Sequence, residues 1–115
     1  MTKDPVIFLK HIIESIEAIE QYTKDLSSEE NFLEDQESQD SVIRRLEIIG
    51  EAIKSLPEET KEQATEIAWR KIVAMRNLLI HEYFGIELSL VWRVVHNDLP
   101  SLKNEIIALL EILEK

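Results

Sequence analysis

The sequence predicts an all-α protein: a bundle of four to five helices forming one domain over residues 1–115. Three observations predict it. Apolar residues recur at three- and four-residue steps through most of the chain, as in helices with one buried face. No stretch shows the period-two alternation of a half-buried strand. Only 2 glycines and 3 prolines interrupt 115 residues, so turns are few. At 44% hydrophobic residues the chain can bury one core of modest size.

Asp4-Pro5 opens the first helix, with a capping carboxylate followed by a proline at the first helical position. Leu9, Ile12, Ile13, Ile16, Ile19 and Leu26 form its apolar face, which predicts a helix over about 5–26. Ser27-Ser28-Glu29-Glu30 breaks the pattern, and the acidic stretch from Phe32 to Asp40 reads as a loop or frayed lead-in. A second helix is predicted over about 38–56. There Val42, Leu46, Ile49, Ile53 and Leu56 keep a 4-3-4-3 spacing, close to a heptad seam, and Ile43 and Ile48 widen the stripe. Gly50 sits in the middle of it, either to admit a close neighbour or as a tolerated cost. Pro57 ends that helix, and residues 58–66 allow one short helical turn. The third main helix covers about 69–81, with Ile72, Val73, Leu79 and Ile80 apolar and Met75 as filler. Gly85 then permits a left-handed stop. A fourth segment is predicted over about 88–97. A fifth spans about 100–113, with Ile106, Ile107, Leu110 and Ile112 apolar. Pro100 either starts that helix behind an Asp98 cap or kinks one continuous helix.

Composition excludes several classes. With no cysteine there is no disulfide framework, thiolate metal site or cysteine nucleophile. No apolar run approaches the roughly 18 residues of a membrane span, and Met1-Thr2-Lys3-Asp4-Pro5 lacks a signal-peptide pattern. The expectation is a cytoplasmic protein without membrane contact. A net charge of −10 argues against a general nucleic-acid binder, which carries a basic footprint. The charge is uneven, however. Residues 1–41 hold 3 Lys against 11 Asp or Glu, and residues 42–115 hold 10 Lys or Arg against 12. A local basic cleft on an acidic body is compatible with that distribution, and the acidic part could face a basic partner. Trp69 and Trp92 read as core residues before base-stacking ones, and His11 and His96 match no motif.

The chemistry concentrates in Arg76-Asn77-Leu78-Leu79-Ile80-His81-Glu82-Tyr83, with the polar skeleton Arg-x-x-x-x-His-x-Tyr. Arginine holds phosphate in a bidentate fork and never loses its charge. Histidine titrates near neutrality and can give or take a proton. The phenol can donate to a phosphate oxygen or itself be modified. Arg76 and Tyr83 are seven residues apart, so a continuing helix would put them on one face about 10 Å apart. His81 lies well round the cylinder, and Asn77 stacks one turn before it. A compact site therefore needs a helix end, a distortion or a second copy.

This skeleton resembles the signature of the HEPN superfamily, in particular its HepT-like branch of small helical toxin ribonucleases. Trp69-Arg70-Lys71-Ile72-Val73, Tyr83-Phe84-Gly85, Val91-Trp92 and Asp98-Leu99-Pro100 also look like that branch, and the resemblance covers most of the chain. It implies a homodimer whose two protomers bring Arg and His together in a composite site. It implies His81 as the acid/base group, Arg76 as the binder of the scissile phosphate and Asn77 as a supporting residue that orients His81 or its substrate. The implied reaction is attack of a ribose 2′-hydroxyl on the adjacent phosphorus, with no metal and no cofactor. The implied system is a type VII toxin–antitoxin pair, in which an MntA-like minimal nucleotidyltransferase transfers AMP to Tyr83 and silences the site. RNA is the implied substrate, and DNA is not expected. The alternative is a non-catalytic HEPN subunit that binds or senses a ligand for a nucleotidyltransferase complex.

Overall fold

The computed structural model describes residues 4–81 and 87–115, with the backbone alone for residues 78–81. All regular elements among them are helical. They are α1 (Pro5–Thr23), α2 (Glu29–Leu33), α3 (Gln36–Ser55), α4 (Glu58–Glu62), α5 (Trp69–His81), α6 (Leu88–Arg93), a π-helical turn (Val94–Asp98) and α7 (Leu99–Leu113).

The core is laid down by the stripes read in α1 and α3. Leu9, Ile12, Ile16 and Ile19 of α1 meet Val42, Leu46, Ile49 and Ile53 of α3, all fully buried. Each such side chain contributes about 1.5–3 kcal/mol by leaving water. α1 packs on α3 and α7, and α3 carries α5 on another flank. Asp4 caps α1 by accepting from the Val6 amide at 3.0 Å. Lys103 of α7 clasps α1 through Glu20 (2.9 Å) and Glu17 (3.7 Å).

Three expectations need correction, and the open alternative at Pro100 can be narrowed. The first helix ends at Thr23 rather than near residue 26, as the Leu26 amide turns back onto the Thr23 carbonyl at 3.0 Å. The segment 32–40 is not a loop. α2 buries Phe32 there, and α3 starts at Gln36 behind Asp35, which accepts from the Ser38 amide (3.1 Å) and hydroxyl (2.8 Å). In α7, Ile107 and Ile112 are exposed, while Leu102, Ile106, Leu109 and Leu110 point inward. Pro100 does not follow an Asp98 side-chain cap. The run from Leu88 to Leu113 is helical throughout, nearer to the continuous alternative, and widens into a π turn before the proline. Pro100 can neither donate to the carbonyl four residues back nor fit its ring against it. The wider turn absorbs that conflict, with the Leu99 amide donating to the Val94 carbonyl. The expected stop at Gly85 lies outside the described residues.

Candidate functional site

The motif helix α5 is anchored at its first residue. The Trp69 indole N–H donates to the carbonyls of Ala64 (3.1 Å) and Lys61 (3.3 Å), and its ring is buried. Trp69 is thus a core residue, as its apolar setting requires. Ile72, Val73 and Met75 seat α5 on the core as half-buried side chains.

Two turns on, α5 crosses α3 at Gly50. A Cβ built on Gly50 would lie 2.4 Å from the Arg76 Cβ and 2.5 Å from its Cγ. Of the two readings of Gly50, close approach is the one found: the glycine makes room for the arginine stem. Beyond it, the guanidinium is held on two sides. Nη2 donates to Glu51 Oε1 at 3.1 Å, and Nη1 donates to Asn77 Oδ1 at 3.0 Å. A guanidinium only donates, which fixes the Asn77 oxygen as the atom facing it. The Arg76 side chain is 16% exposed against 53% for Glu51. Its Nε is buried without a hydrogen-bond partner among the described residues. Among the described residues two hydrogens of the terminal fork have no acceptor, the number that a bidentate contact with an anion uses.

Asn77 therefore supports Arg76. Its expected effect on His81 concerns a side chain outside the described set. His81 is the last residue of α5, one helical turn beyond Asn77 and about 7.5 Å along the axis from Arg76. Tyr83 lies outside the described residues. The structure thus brings Arg76 and Asn77 together and adds Glu51, which the motif did not contain. A mid-helix glycine followed by an acid, facing a helix rich in cations, was the signal available for Glu51.

Trp92 serves packing. Trp92 is half-buried between Phe32 (centroids 5.4 Å apart) and His96 (3.9 Å), fastening α2 to the end of α6. His96 Nδ1 lies 3.0 Å from the Trp92 carbonyl oxygen, which can only accept, so Nδ1 is the donor of this bond. Among the described residues no group of three or more His, Cys, Asp or Glu is placed to hold a metal ion. None of the described helices is long and apolar enough to cross a membrane.

Residues 12–109 match the family model described as "Ribonuclease HepT-like". The chain is 52% identical over 115 residues to a Methanocaldococcus jannaschii protein named "Gamma-glutamylcyclotransferase and putative RNase", spanning about half (51%) of that protein's length. It is 46% identical over 98 residues to the "Probable ribonuclease HepT" of Thermococcus cleftensis, covering 85% of this chain and 88% of that one. It is 37% identical over 113 residues to a Caldanaerobacter subterraneus protein named "Putative RNase", covering 98% and 97% of the two chains. No solved structure matches the chain significantly.

Proposed function

The chain belongs to the ribonuclease HepT-like family, and we infer from that membership that it is a metal-independent RNA endonuclease, active as a homodimer. The observation that carries this reading is the family match over residues 12–109, which spans Arg76, Asn77, His81 and Tyr83. The seating of Arg76 supports it. A cation held on Gly50 by Glu51 and Asn77 is oriented before substrate arrives, and pre-orientation is what lets charge stabilisation accelerate a reaction.

In this mechanism the ribose 2′-hydroxyl attacks the adjacent phosphorus. One His81 takes the hydroxyl proton, and the His81 of a second copy protonates the departing 5′-oxygen. Arg76 holds the non-bridging oxygens as negative charge grows on the phosphorane. The new 2′-oxygen–phosphorus bond replaces the 5′-oxygen–phosphorus bond, leaving a 2′,3′-cyclic phosphate and a 5′-hydroxyl. Tyr83 serves as the off switch. AMP groups transferred to it by a partner nucleotidyltransferase antitoxin would place bulk and negative charge where the RNA phosphate must sit.

Purified protein incubated with labelled single-stranded RNA in excess chelator tests this reading. Cleavage to cyclic-phosphate ends is expected, abolished in His81→Ala and Arg76→Ala variants that keep the wild-type melting temperature. Intact RNA after prolonged incubation of the unmodified protein would overturn it. That result would favour a non-catalytic binding or sensor subunit, a reading which the net charge of −10 supports.

A further inference from the structure

A groove of about 830 Å³ runs along the outer face of α5, bounded by the end of α3 and by α4. Its cations are Lys54, Lys61, Arg70 and Lys71, and its acids are Glu58 and Glu62. On a chain of net charge −10 this is a local reversal of sign. Lys61 is engaged by Glu58 at 3.4 Å and Lys71 by Asp98 at 3.7 Å. Lys54 and Arg70 are exposed and make no ion pair among the described residues. The groove ends at Asn77, the residue that holds Arg76. From Arg70 to Asn77 the helix rises about 10 Å, the length of about three stacked nucleotides.

We propose that this groove is a phosphate track that binds the single-stranded RNA flanking the scissile bond, with Lys54 and Arg70 as its principal contacts. The inference rests on the ribonuclease reading and adds the path of the strand. Charge selects the ligand: two exposed cations without ion pairs among the described residues, in a groove that reaches the residue holding Arg76, match the phosphates of a polyanion. The one aromatic ring in the lining among the described residues, Trp69, is buried and committed through its N–H to two carbonyls, so it provides no stacking platform. Recognition along the track is therefore of backbone and independent of base identity. Binding is correspondingly steep in salt.

The test is a Lys54→Glu/Arg70→Glu variant of the full chain, assayed with a cleavable RNA 12-mer and its fully 2′-O-methylated counterpart. Both side chains are exposed, so the fold should persist, which a thermal melt checks; Lys54→Gln/Arg70→Gln serves as a milder second variant. Expected are a rise of tenfold or more in Kd for the uncleavable strand and in KM for the cleavable one, with kcat within about threefold. The slope of log K against log salt should fall by roughly 1.4, two phosphate contacts at about 0.7 each. If wild type cleaves RNA and both variants match it in KM and salt slope, the track is overturned while the ribonuclease reading stands. If wild type binds the methylated strand through this groove yet cuts nothing, the track stands and the ribonuclease reading falls. If wild type binds no RNA, or if the variants lose affinity only by changing the oligomeric mass, the track is overturned.

Discussion

Gly50 and Arg76 show how one small residue sets the position of a large one. Alanine at Gly50 would gain roughly 1 kcal/mol in helix propensity. Its methyl would also collide with the Arg76 Cβ and Cγ, which lie too near the α5 backbone to swing aside. Overpacking of this kind costs about 1–3 kcal/mol, so Gly50→Ala is expected to lower the urea midpoint with an unchanged slope. An unchanged or raised midpoint would show that α3 and α5 part freely. Glu51 calls for a different measurement. Its pair with Arg76 is half exposed on the acid side, so Glu51→Ala should cost less than about 1 kcal/mol of stability. Its larger effect should fall on RNA cleavage, where loss of guanidinium orientation is expected to lower kcat/KM by roughly 10–100-fold. Glu51→Gln, which keeps an accepting oxygen, should recover most of it; an alanine variant as active as wild type would remove Glu51 from the site. The motif revealed Arg76 and Asn77 in sequence because their spacing is local. Glu51 stayed hidden because it reaches Arg76 across 25 residues of chain, and only the α3–α5 crossing joins them.

Helices with a repeating buried stripe were legible, and those without one were not. The 4-3-4-3 spacing of α3 predicted its core positions because each lands on the same side of the cylinder, and Val42, Leu46, Ile49 and Ile53 are all fully buried. The span of α5 was legible from half-buried Ile72, Val73 and Met75, bounded by Trp69 and by the motif. α2 has five residues and one buried side chain, Phe32, which is too few for any period to show. The start of α3 was masked because its cap, Asp35, stands in an acid-rich stretch that looks like solvated loop. That cap carries a pH signature. The Ser38 amide, then the Ser38 hydroxyl, hold the Asp35 carboxyl below its ordinary value. A depressed folded value means the contribution is complete above the unfolded pKa of about 3.9. It is lost as pH falls through the folded value. The melting temperature of Asp35→Ala should therefore fall further below wild type at pH 7 than at about pH 2.5. Equal gaps at the two pH values would mean that the charge of the cap is immaterial.

At the scale of the whole molecule, the proposed chemistry asks for more than one chain holds. Cleavage by the 2′-hydroxyl needs a group that accepts a proton while another donates one. The chain has three histidines, and only His81 belongs to the motif. His96 is committed to the Trp92 carbonyl, and His11 is exposed on α1, an element that does not carry the motif. Two copies meeting near the end of α5 would supply two imidazoles and two guanidiniums at one phosphate. Such an arrangement was beyond the reach of periodicity, which reports the faces of single helices and not the symmetry between chains. It is open to measurement through concentration. Light scattering should give twice the 13.4 kDa protomer mass at micromolar protein. On dilution, cleavage per chain should fall in step with the dimer fraction, and a Tyr83→Phe variant should follow the same curve, since the role proposed for that hydroxyl is silencing and not turnover. A particle of single mass whose cleavage per chain stays constant on dilution would confine the reaction to one His81, and the two-histidine mechanism would have to be abandoned.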